Sequence, residues 1–250
     1  MRAHAEVRWR AEGYVFFAAV AAAFAIVFAG FARTYFLQPF YRAPDLPWYL
    51  HLHGALMTSW FIVLGAQIWL VETRNLRWHR RLGWASSILA ALIVVVGVPI
   101  AIHAAARDLH GPPQPGPPPL QFMGFLLAIM AAFALLVALG ILFRKRPAWH
   151  KACMTMAAIV ICGAGLARMT FLEGTPIAFL YNGGPWRLFG LDLLVSYALL
   201  AGAFWATKKI NPMLVLGATL LVALSSRWFD AAVTSPQWNE MATWLTTIRI

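Results

Sequence analysis

The sequence predicts an all-α integral membrane protein, a bundle of about seven helices that cross a lipid bilayer. Of its 250 residues, 61% are hydrophobic and 12% are charged. Several apolar runs approach 20 residues, the length that a helix needs to cross the ~30 Å hydrocarbon core. The net charge of +11 does not indicate nucleic-acid binding, because no soluble basic domain carries it. We expect one transmembrane domain, residues 1–250.

Basic residues are distributed unequally between the two expected membrane faces. If the amino terminus is cytoplasmic, 13 of the 20 Lys and Arg residues fall on the cytoplasmic side and seven on the other side. This excess is the positive-inside bias of membrane proteins. We therefore expect a multi-pass protein of the bacterial inner (cell) membrane with a cytoplasmic amino terminus.

Seven spans follow from the apolar runs and from the residues that interrupt them. Prolines and interfacial aromatic residues at 33–47 separate the first two spans. Six prolines at 110–119 predict an extended loop between the third and fourth spans. The spans are predicted at residues 14–31, 48–71, 82–103, 120–143, 152–172, 188–206 and 213–229, and an interfacial tail is predicted at 235–250.

Histidines lie near both ends of the second span. A continuous helix from His53 to His79 would be roughly 39 Å long, more than the ~30 Å hydrocarbon core, so the two histidines are expected at opposite membrane surfaces. His150 shares the context of His79, because each follows a tryptophan, precedes a basic residue and opens an apolar run. A shift of 71 residues places His79 on His150 and His53 on Gly124. We interpret this pattern as a degenerate two-helix repeat.

His79 and His150 form the candidate cofactor site on the inner side. They begin the third and fifth spans at the same depth, and two imidazoles from neighbouring helices can bind one haem iron on opposite faces. The alternative is that each histidine caps its loop at the level of the lipid head groups. The first interpretation predicts haem b, and the second predicts no cofactor.

A second group of histidines is predicted at the outer side. His51 and His53 open the second span, and His103 closes the third. Neutral imidazoles are ligands of copper and zinc, so a copper or zinc site is expected here. Because His51 and His53 are two positions apart on a helix, they point about 200° apart. A metal site made of His53 and His103 therefore requires less distortion of the helix than one made of His51 and His53.

Two arginines accompany the outer histidines. Arg168 lies within an apolar run, where a lipid-facing arginine costs ~2.5–3.5 kcal/mol on insertion scales, so we expect it to face the bundle. Its candidate partners are a haem propionate or an anionic substrate such as a quinone head group. The alternative is a salt bridge to Glu173 or Asp192. Arg33, at a comparable depth, is expected to bind the same haem propionate or anionic substrate.

Other membrane functions lack the residues that they need. None of the four lysines lies within a predicted span, so a retinal Schiff base is not supported. The spacings His-Glu-x-x-His and His-x-x-x-His are absent, which argues against membrane zinc proteases and di-iron hydroxylases. Cys153 and Cys162 are nine positions apart on one predicted helix and face different directions. They are expected to be free thiols.

Two sequence blocks resemble those of a known family. His79-Arg80-Arg81-Leu82-Gly83 is similar to a His-Arg-x-Leu-Gly block, and His150, Met154 and Arg168 are similar to a block that runs from a histidine through a methionine to an arginine. Both blocks are typical of an uncharacterised bacterial multi-pass membrane family, and the resemblance covers about residues 50–172. The family's usual second arginine and tyrosine are replaced by Met156 and Ala158. The resemblance implies a multi-pass fold and no established activity.

The chain also resembles, more weakly, the transmembrane di-haem cytochromes b that pass electrons across membranes from ascorbate-type donors. In that family, histidines on four consecutive helices hold one haem in each leaflet. The resemblance implies that His79 and His150 hold the inner haem and that His53 is one outer ligand. The position of the second outer ligand is Gly124 in this chain, and His103 is the candidate substitute.

Three functional hypotheses follow. The leading one is a haem- or metal-binding redox membrane protein that transfers electrons, with a quinone or another small redox molecule as partner. The second is a cofactor-free accessory or assembly protein that contacts other membrane subunits. The third is a small-solute transporter, suggested by the repeat and by Arg168. The sequence leaves open whether the protein is an enzyme, and only the first hypothesis predicts a coloured protein.

Overall fold

The computed structural model describes residues 2–42, 44–111, 118–166, 168–169 and 190–248. Every regular element in these ranges is helical, and several helices are long and apolar, so the chain is an all-α membrane bundle. The α-helices are α1 Arg2–Phe31, α2 Gln38–Tyr41, α3 Trp48–Glu72, α4 Leu76–His110, α5 Pro119–Leu142, α6 Pro147–Val160, α7 Gly163–Leu166, α8 Gly190–Thr207, α9 Pro212–Leu224, α10 Arg227–Thr234 and α11 Pro236–Thr247. A π-helix, Ala32–Phe36, continues α1.

Five segments of the described chain are long and apolar enough to cross a membrane, and they coincide with the first five predicted spans. They are Gly13–Phe36, Trp48–Glu72, Leu76–His110, Pro119–Leu142 and Pro147–Leu166. A sixth span is present if α9 and α10, which are bent by 51° relative to each other, count as one. The apolar part of α8, Leu193–Thr207, is shorter. The predicted number of seven therefore stays a prediction.

Helix boundaries differ from the predicted spans where polar residues continue a helix or glycines and serines interrupt one. The third predicted span is the middle of the longer helix α4, which continues through Pro99 and ends at His110, before Gly111. The fifth ends early at Val160 and resumes as the short helix α7, which contains two glycines. The seventh stops at Leu224, and the Ser226 hydroxyl caps α10 by accepting a hydrogen bond from the Phe229 amide at 3.2 Å.

Four consecutive helices, α3 to α6, form the centre of the bundle, each packed on the next. Helix α6 is the most enclosed of them, because α1, α8 and α9 also pack against it. Residues 155–162 are all buried. His53 lies near the start of α3 and His79 near the start of the antiparallel helix α4, so these residues lie at opposite ends of the hairpin. We call these two regions the His53 end and the His79 end.

The predicted interfacial tail contains a helix, α11, that packs across α4 and α5 at the His53 end. Its Ala242 is fully buried beside Ile102 and Met123. The Trp238 indole N–H donates a hydrogen bond to the carbonyl oxygen of Leu120 at 3.0 Å. These contacts hold the polypeptide that follows α10 against the end of the bundle.

Candidate cofactor site

His79 and His150 lie beside each other at the His79 end of the bundle. His79 is in the first turn of α4, and His150 is in the first turn of α6, which begins with Pro147. A proline at the start of a helix is favoured because its missing N–H would have no helical partner there. The two ring centres are 6.2 Å apart, and the ring planes are nearly perpendicular, at 89°. Both side chains are half-buried.

A main-chain hydrogen bond fixes the ring of His150. Its Nδ1 lies 2.8 Å from the carbonyl oxygen of Gly140 on α5. Because a carbonyl oxygen only accepts hydrogen bonds, Nδ1 carries the proton and donates it. In neutral His150 the lone pair is therefore on Nε2. Metal-binding histidines have this arrangement, in which the second ring nitrogen donates to a carbonyl or a carboxylate.

A buried glutamine on α3 supports the ring of His79. The side-chain amide of Gln67 contacts His79 Nδ1, the His79 carbonyl oxygen at 3.2 Å and the Gly83 amide nitrogen at 2.9 Å. All three contacts are satisfied when the amide NH₂ donates to His79 and the amide oxygen accepts from Gly83. Nδ1 of His79 is then an acceptor, so the neutral ring carries its proton on Nε2.

The two histidines consequently have complementary tautomers in this structure. His79 presents an N–H at Nε2, and His150 presents a lone pair at Nε2. Metal binding at His79 Nε2 requires loss of that proton and rotation of the Gln67 amide, so that its oxygen accepts from Nδ1–H. The rotated amide gains the Ser86 hydroxyl, 3.3 Å from its nitrogen, but its oxygen then faces the His79 carbonyl oxygen and its nitrogen faces the Gly83 amide nitrogen. Gln67 therefore favours the tautomer of His79 that carries its proton on Nε2.

The spacing of the two rings suits a shared metal ion. With metal–nitrogen bonds of about 2.0–2.1 Å and ring nitrogens roughly 1.1 Å from the ring centre, imidazoles on opposite sides of one ion have centres about 6.3 Å apart. The observed separation is 6.2 Å. His79 and His150 are therefore the residues that would hold a haem iron at this end of the bundle, once the Nε2 proton of His79 is lost.

The three outer histidines have separate neighbours. His51 is exposed and contacts the ring of Tyr35 at 5.9 Å between ring centres, and His103 is exposed against Tyr49 at 5.7 Å. His53 points instead into the bundle, toward Gly97 of α4. Within the described ranges, no group of three or more His, Cys, Asp and Glu side chains is placed to hold a metal ion.

The arginines predicted to bind an anion lie near the end of α1. The Arg168 guanidinium lies 4.6 Å from the centre of the Phe31 ring and donates a hydrogen bond to the Ala164 carbonyl oxygen at 2.9 Å. Arg33 is exposed and lies over the ring of Tyr41 at 5.2 Å. The alternative partners of Arg168 cannot be compared with these contacts, since Glu173 and the side chain of Asp192 lie outside the described part of the chain.

Gly124, the counterpart of His53 in the repeat, is covered by the tail. A side chain at this position would meet the Trp238 ring and the Val233 side chain, each at 2.8 Å. The repeat therefore places no ligand opposite His53, and the space that a ligand would need is filled by α10 and α11. Cys153 and Cys162 are buried and are not joined in a disulfide, as predicted.

Two residues of the candidate site are absent from the set predicted by the sequence. Gln67 is one of the few polar residues in the apolar run of α3, and this is a signal that could have identified it. Gly140 contributes only its carbonyl oxygen, so no side-chain pattern could have indicated it. Both act by holding the rings of His79 and His150.

The fold is that of a helical membrane bundle, and this pair of histidines is a candidate cofactor site between α4 and α6. Comparison with protein-family models, with curated proteins and with solved structures finds no match to this chain. The two family resemblances seen in the sequence therefore stay predictions.

Proposed function

We propose that this chain is a haem-binding redox protein of the membrane, with His79 and His150 as the axial ligands of one haem b. The observation that carries the proposal is the adjacent, nearly perpendicular pair of rings with centres 6.2 Å apart, with His150 held by the Gly140 carbonyl. Bound haem supplies one-electron chemistry. The chain's own contribution is to hold the ring of His150 through the Gly140 carbonyl oxygen, which leaves Nε2 of His150 free for the iron.

Basic residues next to the two histidines suit the haem propionates. Arg80 follows His79 and Lys151 follows His150 in the sequence, so each accompanies its histidine into the first turn of its helix. Arg168 and Arg33 lie near the carboxyl-terminal end of α1. We assign them instead to an anionic substrate, such as a quinone head group, at the His53 end.

The orientation in the membrane follows from the distribution of charge. We place the His79 end in the cytoplasm of a bacterial cell, because 13 of the 20 basic residues then lie on the cytoplasmic side. In this orientation the haem lies in the inner leaflet, and the proposed anion-binding arginines lie near the outer surface. Electron transfer across the membrane would need a second redox centre, because a single haem reaches only one leaflet.

The absorption spectrum of the detergent-purified protein tests the proposal. The protein is expressed with a haem precursor, and its spectrum is recorded oxidised and then after reduction with dithionite. We expect about one haem per chain and a sharp α-band in the reduced spectrum, as a six-coordinate bis-histidine haem gives. Membranes from cells that do not express the protein, taken through the same purification, serve as the background control. A colourless preparation after haem supplementation would contradict the proposal and favour the cofactor-free accessory role.

A further inference from the structure

His53 carries a buried ring nitrogen without a partner. His53, Trp60 and Gln67 are spaced by seven residues, so they lie on one face of α3, the face directed into the bundle. Within the described ranges, Nδ1 of His53 is buried and has no hydrogen-bond partner. A buried polar atom without a partner destabilises the fold, so this nitrogen is a candidate ligand for a bound group.

A methionine sulfur approaches the same place from α5. A Cβ atom at Gly97 of α4 would lie 3.1 Å from Met130 Sδ, 3.5 Å from His53 Cε1 and 3.9 Å from His53 Nδ1. The imidazole and the thioether therefore converge on one point beside a glycine. Met130 is buried, so its sulfur is shielded from solvent. Three consecutive helices of the central bundle meet at this point.

We propose that His53 Nδ1 and Met130 Sδ form a binding site for one cuprous ion. Thioether sulfur is a soft ligand that favours Cu(I), and neutral imidazole suits copper as well. Cu(I) is stable with two or three ligands, whereas protein zinc sites use four ligands or three with a water. The ion enters by ligand exchange from a reduced copper complex, and its oxidation state does not change.

The electrostatic surroundings favour a monovalent ion. The site lies among apolar helices, where an unpaired charge is costly to bury. This cost is larger for a divalent cation than for a monovalent one. The surroundings thus favour Cu(I) over Zn²⁺ and Cu²⁺.

The copper site is separate from the proposed haem site. His53 and Gln67 are fourteen positions apart on α3, which corresponds to about 21 Å along the helix axis. The proposal therefore does not rest on haem binding. A protein without haem could still bind Cu(I), and a haem protein could lack copper.

A competitive titration tests the site in the purified full-length protein. Cu(I) is held anaerobically by the coloured chelator bicinchoninate, and the protein is added until it removes the metal. We expect the wild type to remove one equivalent, and we expect Met130→Leu and His53→Ala each to weaken Cu(I) binding at least tenfold. Met123→Leu, which changes another buried methionine of α5, is the matched control and is expected to bind as the wild type does.

Two further results complete the test. Gly97→Ala adds a methyl group between the two ligands and is expected to weaken binding although both ligands remain. The copper X-ray absorption spectrum is expected to show one sulfur neighbour that is lost in Met130→Leu, a near-isosteric change that leaves the fold intact. Failure of the wild type to compete with the chelator would overturn the proposal. Equal affinity of the wild type and Met130→Leu would overturn it as well.

Discussion

Replacement of either His79 or His150 by alanine is expected to abolish stable haem binding. In the proposed site each histidine would supply one of the two axial bonds, so either replacement would leave the iron with a single imidazole of this pair. The haem-to-protein ratio after gel filtration measures the effect, with His51→Ala and His110→Ala as controls because these histidines are exposed. Retention of one haem per chain in His150→Ala would show that the ligands lie elsewhere.

A further variant distinguishes the two proposed ligands, His79 and His150, from Gln67, which contacts the ring of His79. Gln67→Leu keeps both histidines but removes the amide that contacts His79 Nδ1. Because the amide NH₂ donates to Nδ1 and so keeps the proton of His79 on Nε2, its removal frees Nε2 for iron, and the variant is expected to bind haem more tightly than the wild type. Thr58→Ala is the matched control, because the Thr58 hydroxyl donates only to the Gly54 carbonyl of its own helix among the described contacts. Equal haem affinity in both variants would exclude the proposed role of Gln67.

Gly30→Ala is expected to destabilise the bundle severely. A methyl group at Gly30 would collide with the backbone carbonyl oxygen of Gly165, and Gly165 itself packs against Val27 of α1. Since backbone atoms cannot rotate away as a side chain does, α1 and α7 must separate, at a cost of about 1–3 kcal/mol. Thermal unfolding in detergent measures the change as a lower melting temperature.

Gly65→Ala is the matched control for this prediction. Gly65 also lies in a membrane-spanning helix, but no atom lies within 4 Å of the position of an added Cβ. Its melting temperature is expected to equal that of the wild type or to exceed it slightly, because alanine has the higher helix propensity. Similar losses of stability in the two variants would mean that α1 and α7 do not pack through Gly30 and Gly165.

The membrane-spanning helices were predictable because each is defined by the length and hydrophobicity of one run of consecutive residues. Apolar runs of the right length define α3 and α5, whose observed bounds, Trp48–Glu72 and Pro119–Leu142, nearly equal the predicted spans. The break after Val160 was not predictable in the same way, because the residues around it are as apolar as a continuous span. Its position depends on the approach of Gly165 to α1, a contact between distant parts of the sequence.

The candidate sites were predictable only in part, because they depend on contacts between distant parts of the sequence. The contexts of His79 and His150 resemble each other, so the sequence alone pairs them. Met130 is one of many apolar residues in α5, and its sulfur gains significance only because Gly97 and His53 lie beside it. Histidine spacing favoured His103 as the partner of His53, whereas the structure places His103 against Tyr49. The direction in which a side chain leaves its helix decided this difference.

Electron paramagnetic resonance of the haem-loaded ferric protein tests the central claim most directly. The imidazole planes of His79 and His150 are nearly perpendicular, at 89°. Perpendicular axial imidazoles give ferric haem a highly anisotropic low-spin signal, whereas parallel planes give an ordinary rhombic one. We therefore predict the highly anisotropic low-spin signal in the wild type and its loss in both alanine variants. A high-spin signal from the wild-type protein would contradict bis-histidine ligation by this pair.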